Sequence, residues 1–290
     1  MISALAGLSG VVVAAVLGRR TEKKRTLDRS WPVNLAHRGA AARAPENTLE
    51  AFRLAVEEGA GGLELDVSLT RDGEVVVIHD ATVDRTTDGS GAVAGMTLDE
   101  LRRLDAGHRF SPGGGSSFPY RGLGLRVPTL AEVYREFPEA SVNVDIKVAQ
   151  AGAEEAVLRV VRDADAVGRT LVASTDHVIV RRFRKVSGGS VSTGASRREI
   201  AIFYLLSILR LEALARPAYE TLQVPVEHWG ITLVTPRFLS AARSIGVRVD
   251  VWTINGPAEM RRLLDLGVGV VMTDRPEVLA RVLDERRERS

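Results

Sequence analysis

Short β-rich runs alternate with helical stretches from Trp31 to the C-terminus, and this alternation limits the fold more than any other feature of the chain. Such alternation is typical of α/β proteins, in which helices cover the faces of a parallel sheet. Nine runs have the length and composition of strands: Val33–Ala36, Gly62–Val67, Glu74–Ile78, Ser141–Ile146, Thr170–Ala173, Ser190–Ser192, Thr221–Val224, Val247–Trp252 and Val268–Met272. The sequence therefore predicts an α/β fold assembled from βα units.

One of the nine runs does not fit this alternation. Glu74–Ile78 follows Gly62–Val67 after a short turn at residues 70–73, whereas a parallel crossover needs about a dozen residues or more. We therefore expect Glu74–Ile78 to return antiparallel, as one arm of a hairpin. The other eight strands lie within residues 31–290, which fits a single (β/α)8 barrel, or TIM barrel. The Gly-, Ser- and Pro-rich stretch from Asp80 to Pro128 is predicted to pass over the C-terminal mouth of that barrel.

Local signals mark the start of two helices. Pro45-Glu46-Asn47-Thr48 precedes a stretch with a buried face that Gly59 ends, and Thr97-Leu98-Asp99-Glu100 has the form of a capping box. A third helical stretch, Glu199–Ala215, is apolar on almost every side. It fits either a barrel helix buried against its neighbours or a helix at the mouth that docks on a bilayer.

The N-terminal residues form a separate region. Ile2–Gly18 is an uncharged, apolar run, which as a helix would be about 26 Å long, slightly less than the hydrocarbon thickness of a bilayer. Residues 19–30 form a polar linker that begins with a cluster of basic residues. The apolar run therefore predicts a membrane anchor, and the positive-inside rule places the domain of residues 31–290 on the cytoplasmic side. The alternatives are a cleaved signal of a secreted protein and an N-terminal extension of a soluble cytoplasmic one.

The composition excludes several classes of site and partner. The chain has no cysteine, so disulfides and thiolate metal sites are excluded, and any metal must be held by oxygen or nitrogen. The net charge is only +2, and the basic excess is concentrated near the N-terminus without interleaved aromatic residues. This pattern argues against nucleic-acid binding, and nothing in the sequence indicates a protein partner.

Charged side chains cluster at the C-terminal ends of the predicted strands, which meet at the mouth of a barrel. Glu64 and Asp66 are two residues apart and point to the same side of their strand, and Asp145 lies on the next barrel strand. Three converging carboxylates repel one another unless a cation lies between them, and oxygen ligands favour Mg²⁺ or Ca²⁺. The alternative is a structural ion network in which the strand-two carboxylates pair with Arg38 or Lys147.

Two histidines flank these carboxylates: His37 ends the first strand, and His79 ends the hairpin arm. Because the ordinary pKa of histidine is close to neutral, one can take a proton from an attacking hydroxyl while the other protonates the leaving oxygen. Arg38 and Lys147 offer positive charge for a phosphate. Trp252, at the end of a later strand, is either a core residue or an aromatic wall of the site. Together these residues predict a metal-dependent phosphodiester hydrolase.

The sequence resembles the glycerophosphodiester phosphodiesterase family from about Val33 to the C-terminus. The matching strings are Ala36-His37-Arg38-Gly39, Pro45-Glu46-Asn47-Thr48, Glu64-Leu65-Asp66-Val67 and Val77-Ile78-His79-Asp80, with weaker matches at Arg85-Thr86-Thr87-Asp88-Gly89, Val127-Pro128-Thr129-Leu130, Val251-Trp252-Thr253-Ile254-Asn255 and Thr273-Asp274-Arg275-Pro276. The resemblance implies hydrolysis of glycerophosphodiesters to glycerol 3-phosphate and an alcohol.

The resemblance also implies roles for single residues. Glu64, Asp66 and Asp145 match ligands of one divalent cation, and His37 and His79 match the acid and the base. In the same way, Arg38 and Lys147 match residues that hold the phosphate. Attack in this family is often drawn from the glycerol 2-hydroxyl, which gives a cyclic phosphate that water then opens.

Two positions depart from the family pattern. The third metal ligand is usually Glu in an E-x-K string, whereas here it is Asp145-Ile146-Lys147, and Gly269 replaces an Asp before the last strand. Neither change removes a histidine or a strand-two carboxylate, so we expect an active enzyme rather than a silent phosphate-binding scaffold. The substrate is either a small glycerophosphodiester or, for a membrane-associated enzyme of the lysophospholipase D type, a lysophospholipid.

Overall fold

A computed structural model of the protein describes residues 31–289. Its strands are β1 (Asn34–His37), β2 (Gly62–Leu69), β3 (Val75–Val77), β4 (Ser141–Ile146), β5 (Thr170–Ala173), β6 (Ser192–Thr193), β7 (Thr221–Val224), β8 (Glu227–His228), β9 (Ile231–Thr232), β10 (Arg248–Val251) and β11 (Val270–Thr273). Eight of them pair in parallel in the order β6-β5-β4-β2-β1-β11-β10-β7, and a parallel bridge from Gly194 to Thr221 joins the two ends. The predicted (β/α)8 barrel and its eight strands are confirmed.

Helices follow the barrel strands as the βα pattern predicts. They are α1 (Leu49–Glu57), α2 (Leu98–Leu101), α3 (Leu130–Glu136), α4 (Ala153–Asp163), α5 (His177–Ser187), α6 (Arg197–Ile208), α7 (Pro236–Ser244), α8 (Pro257–Leu266) and α9 (Pro276–Glu288), with short 3₁₀ turns at Val93–Gly95, Pro112–Gly114, Val167–Arg169 and Glu212–Leu214. Both predicted helix starts are confirmed, because Thr48 accepts from the Ala51 amide at the start of α1 and Thr97 forms the capping box of α2.

Successive residues of each barrel strand point alternately outward to the helices and inward to the barrel axis. The outward residues form two large clusters with the helices, whereas Leu35, Leu171 and Val270 belong to a smaller cluster with Trp31. His37 points inward like Leu35, which lies two residues before it on β1. Glu64 and Asp66 likewise point to the same side of β2. The period of two therefore places the predicted site residues inside the barrel, near its C-terminal mouth.

The hairpin predicted between β2 and β3 is confirmed, because β3 pairs antiparallel with β2 through Val67–Val77 and carries His79 back to the mouth. Residues 80–128 then form an excursion with a small apolar core of its own that includes Val83, Val93 and Leu101. A second hairpin, β8–β9, lies between β7 and α7. Each of its strands has only two residues, which is too short to give a strand pattern in the sequence, so this hairpin was not predicted.

Helix α6 differs from the barrel helix that the sequence allowed as one alternative. Only Phe203 and Ser207 of this helix are buried, and Leu205 and Ile208 are more than half exposed. The expectation of a helix well buried against its neighbours is therefore wrong. None of the helices within residues 31–289 has both the length and the apolarity needed to cross a membrane, and the predicted anchor and linker, residues 1–30, lie outside the described residues.

The glycine that departs from the family pattern has a packing reason. A Cβ atom at Gly269 would lie 2.2 Å from Cγ of Arg248, which belongs to the adjacent strand β10. Arg248 uses this space to reach Asp250, which is fully buried. An aspartate at position 269 would therefore need a different side chain at position 248.

Candidate active site

A cavity of about 300 Å³ opens at the C-terminal mouth of the barrel. Seven of the eight predicted site residues line it: His37, Arg38, Glu64, His79, Asp145, Lys147 and Trp252. The eighth, Asp66, is fully buried and ion-paired with two of these residues. The structure thus brings the whole predicted set together, although the residues come from four barrel strands and a hairpin.

The three predicted metal ligands form one cluster. Glu64, Asp66 and Asp145 each offer a carboxylate oxygen, and these oxygens all lie within 4.8 Å of one another. The cause is the register of the sheet, because Asp66 pairs directly with Asp145 across β2 and β4, and Glu64 precedes Asp66 by one inward position. Among residues 31–289 this is the one group of three or more acidic or histidine side chains close enough to hold a metal.

Two basic side chains already contact this cluster. Nζ of Lys147 lies 2.9 Å from Oδ1 of Asp66 and 2.6 Å from Oδ2 of Asp145, and Nε of Arg38 lies 3.1 Å from Oδ2 of Asp66. The ion network considered from the sequence therefore exists around Asp66. It does not extend to Glu64, whose one salt-bridge contact among the described residues is with His37, at 4.0 Å.

The charges of the cluster are not balanced by these contacts. Burial, together with the neighbouring Asp66 carboxylate, raises the pKa of Glu64 to about 7. Burial also raises the pKa of Asp145, whose Oδ1 atom is buried without a hydrogen-bond partner. Asp66 is also buried, but Lys147 and Arg38 outweigh that effect and lower its pKa. The residues present fit a divalent cation, since they leave negative charge and an oxygen ligand unpaired.

The backbone after β1 is shaped to place Arg38. This residue has φ = 56°, in the left-handed region that few residues other than glycine adopt, and its amide donates to Oε2 of Glu64 at 3.2 Å. Gly39 follows with φ = 87°, and a Cβ atom there would lie 2.7 Å from the backbone of Ala51 in α1. The His-Arg-Gly string therefore forms a sharp turn that only glycine at its third position allows.

His37 is oriented by an aspartate from the other end of the chain. Its Nδ1 atom donates to Oδ1 of Asp274 at 2.7 Å, since an ionised carboxylate can only accept. Asn255 fixes that carboxylate by donating to its Oδ2 atom at 2.8 Å. Burial acts to lower the pKa of His37, but Asp274 and Glu64 raise it overall. The remaining ring nitrogen, Nε2, is left to exchange a proton in the cavity.

His79 has a similar arrangement built from neighbouring residues. Its Nδ1 atom donates to Oδ1 of Asp80 at 2.6 Å. Arg85 donates to Oδ2 of the same aspartate at 2.6 Å and, together with His79, lowers the pKa of Asp80 to about 2. Arg85 also donates to Glu46 at 2.7 Å, and Glu46 in turn accepts from Arg38 at 3.0 Å. Both histidines therefore present Nε2 with the tautomer fixed by a carboxylate.

The residues that orient the site were not predicted from the sequence. Asp274, Asn255, Asp80, Arg85 and Glu46 all lie in strings that were noted for their resemblance to the family, so a signal was present. Asn47, which donates to Oδ2 of Asp66 at 2.8 Å, also lies in such a string. Gln223 and Asn143, which are hydrogen-bonded to each other in the cavity, carry no such signal.

The cavity has an apolar side as well. Trp252 forms part of its wall with 39% of its surface exposed, as one of the two sequence alternatives expected. Further apolar lining comes from Ala195, Ile200 and Leu233, which lie on or beside α6 and the β8–β9 hairpin. The site can therefore contact a charged phosphate on one side and an apolar group on the other.

Comparisons with known proteins agree with this architecture. The profile of the "Glycerophosphoryl diester phosphodiesterase family" matches residues 37–278. A glycerophosphodiester phosphodiesterase of Caldanaerobacter subterraneus is 35% identical over 258 residues, covering 84% of this chain and 95% of that protein. One from Bacillus subtilis is 30% identical over 255 residues, covering 86% of each.

Solved structures show the same barrel. A glycerophosphodiester phosphodiesterase from Agrobacterium tumefaciens has a TM-score of 0.69 at 26% identity, covering 85% of this chain and 98% of that one. An Oleispira antarctica phosphodiesterase, solved in complex with the product sn-glycerol-3-phosphate, has a TM-score of 0.69 at 26% identity, covering 86% of this chain and 96% of that one.

Proposed function

The chain belongs to the glycerophosphoryl diester phosphodiesterase family and is an enzyme of that family's class; on this premise we propose that it hydrolyses small glycerophosphodiesters to glycerol 3-phosphate and an alcohol in a cation-dependent reaction. One observation carries the proposal: two aspartate-oriented histidines, His37 and His79, line one cavity with a cluster of three carboxylates. A silent scaffold barrel would not need both histidines held in this way.

Each side chain has a role in this proposal. One of the two histidines accepts the proton of the attacking hydroxyl at Nε2, and the other donates a proton to the leaving oxygen. Arg38 and Lys147 bind the phosphate oxygens, and Trp252 forms a wall beside the alcohol. Because Asp274 and Asp80 only accept hydrogen bonds, they hold the rings in place and fix the tautomer of each histidine.

Glu64, Asp66 and Asp145 would hold one Mg²⁺ or Ca²⁺ ion. Bound there, the ion would offset the negative charge that develops on the phosphate oxygens. Lys147 contacts two of these carboxylates and also lines the cavity, so its ammonium group can reach a phosphate oxygen bound there. The proposal therefore assigns Lys147 to substrate contact rather than to a permanent replacement of the cation.

A second candidate substrate is a lysophospholipid at a membrane, which the apolar side of the cavity favours. This alternative includes the membrane location proposed from residues 2–18, with the barrel on the cytoplasmic side. Glycerophosphocholine and lysophosphatidylcholine carry the same phosphodiester and differ in the acyl chain, so they form a direct pair of test substrates.

The test is an assay of the purified full chain with each substrate, with Mg²⁺, Ca²⁺ or a chelator. We expect hydrolysis of glycerophosphocholine that a chelator abolishes and one of the two ions restores. Release of glycerol 3-phosphate from glycerophosphocholine supports the first candidate, whereas exclusive release of lysophosphatidate from lysophosphatidylcholine supports the second. Full activity in chelator would disprove the cation dependence, and inactivity on both substrates with every ion would contradict the proposal.

A further inference from the structure

Helix α6 and the turn after it expose more apolar side chains than a barrel helix should. Phe203 seats the helix on the neighbouring α7, with its ring 5.4 Å from that of Phe238, and the opposite side faces outward. Exposed apolar side chains continue through the 3₁₀ turn, and two more lie on the β8–β9 hairpin. We define the rim surface as these side chains: Ile202, Leu205, Ile208, Leu209, Leu211, Leu214, Trp229 and Ile231.

The rim surface lies at the mouth of the barrel. Ile200, near the start of α6, lines the active-site cavity. Glu212, in the 3₁₀ turn, is paired with Arg237 in the first turn of α7, which begins at the mouth because it follows β7. Trp229 is 92% exposed at the tip of the β8–β9 hairpin, and its neighbour His228 also lines the cavity. The exposed apolar residues therefore border the entrance to the site.

The charges on α6 and the turn after it that have no salt-bridge partner among the described residues are all positive. Arg197, Arg198, Arg210 and Arg216 are exposed and have no salt bridge among the residues that the structure describes. Glu199 and Glu212 are each paired with an arginine of another helix. An apolar surface edged by unpaired arginines complements a bilayer that contains anionic lipids, because the arginines lie at headgroup depth when the leucines enter the acyl boundary.

We propose that the rim surface is a docking surface for an anionic lipid bilayer, so that the mouth of the barrel faces the membrane. The proposal goes beyond the reaction, since docking does not depend on which substrate is hydrolysed. The chain outside the structure is compatible with it. Trp31 enters at the end of the barrel opposite the mouth. Twelve residues, 19–30, could span at most about 40 Å if fully extended, which is more than the length of α6, about 18 Å. A tether ahead of Trp31 is therefore long enough to let the mouth face the same membrane.

Because the chain has no cysteine, single cysteines can report the environment of one position at a time. Leu209→Cys and Leu205→Cys, each carrying a nitrobenzoxadiazole label, test the rim surface in the full chain. Val56→Cys is the matched control, since Val56 is exposed at the end of α1, on the opposite side of the barrel and away from the mouth. Each protein is reconstituted with vesicles of phosphatidylcholine and phosphatidylglycerol.

We expect both rim labels to shift to shorter emission wavelength and to lose severalfold in intensity with doxyl-labelled lipids, while the Val56 label keeps its aqueous spectrum. Smaller changes are expected on vesicles of phosphatidylcholine alone. Rim labels that stay aqueous on vesicles to which the protein is bound would show an N-terminal tether without docking and overturn the proposal.

Two other outcomes would also overturn it. Rim labels that are already blue-shifted without vesicles would show that the rim surface is covered by protein. The covering segment would be a second copy of the chain if the shift depends on protein concentration, and residues 1–30 if it does not. Hydrolysis of glycerophosphocholine by the same labelled proteins is measured separately. Its absence in all three would count against the proposed reaction, and the label spectra would still decide the docking.

Discussion

Two groups of buried charges lie inside the same barrel, and they differ in how completely they are paired. Below the mouth, Asp250 accepts from Arg248 at 2.6 and 2.8 Å and from the Thr221 hydroxyl at 2.6 Å. At the mouth, Asp145 keeps a buried oxygen without a hydrogen bond, and the pKa of Glu64 is raised to about 7. The lower cluster is closed, whereas the upper one has capacity for a ligand.

This difference separates a structural ion cluster from a functional one. Every oxygen of the lower aspartate is occupied, so its charge stabilises one arrangement of β7 and β10 and offers nothing to a substrate. Of the upper carboxylates, Asp66 lies opposite Asp145 on the adjacent strand, and Glu64 lies two residues before Asp66. Their mutual repulsion is only partly offset by Lys147 and Arg38. Incomplete pairing of buried charge is costly in an apoprotein and is therefore a sign of function.

The largest effect on stability is expected at the closed cluster around Asp250. Asp250→Ala removes a fully buried carboxylate and leaves the largely buried Arg248 and the Thr221 hydroxyl without their partner, so we expect a loss of about 3 kcal/mol in the free energy of unfolding. Urea denaturation measures this loss, with the exposed Asp99→Ala as control. The folded fraction should keep its kcat/KM, and a loss of activity without a loss of stability would contradict the structural role.

The open cluster should respond in the opposite way. His37→Ala and His79→Ala are each expected to lower kcat/KM for glycerophosphocholine by about 10²-fold or more, because each removes a proton-transfer group. Unfolding free energies should change little. The control is His108→Ala, in the excursion outside the cavity. A histidine variant with full activity would refute the role assigned to that residue.

The aspartates that orient the histidines should matter less than the rings themselves. Asp274→Asn and Asp80→Asn keep the side-chain shape, but an amide can donate as well as accept and so no longer fixes the ring tautomer. We therefore expect kcat to fall by at least about tenfold with KM nearly unchanged. Steady-state kinetics at several pH values measures this. If KM rises instead while kcat is kept, these aspartates act in substrate binding and not in orientation.

The smallest effect on stability is expected at the third predicted ligand. Burial raises the pKa of Asp145, so its charged form is unfavourable in the folded state, and Asp145→Asn should change the unfolding free energy by less than about 1 kcal/mol without metal. The same variant should lose the rise in Tm that Mg²⁺ or Ca²⁺ gives the parent protein. Asp99→Asn is the control, and a variant that still gains Tm with the ion would exclude Asp145 as a ligand.

Much of this site could be predicted from the sequence because it depends on local periodicity. Residues two apart on a strand share a side, so Glu64 and Asp66 had to point together, and strand ends had to meet at one mouth once the fold was a parallel barrel. The short turn at residues 70–73 excluded a crossover and identified the hairpin that carries His79. The eight strands followed from the same local patterns, whereas the enzyme family followed from the resemblance of several short strings to that family.

Only the tertiary structure decided which partners these residues meet. Asp274 reaches His37 across 237 positions because β11 pairs with β1 when the barrel closes, and no local pattern contains that contact. The same holds for the pairing of Lys147 with Asp66. The exposure of α6 depends on which neighbouring elements cover it, and its own apolar sequence fits a buried helix equally well. The sequence by itself thus determined the chemistry available at the mouth, and chain closure determined how the charges pair and which apolar surface stays open.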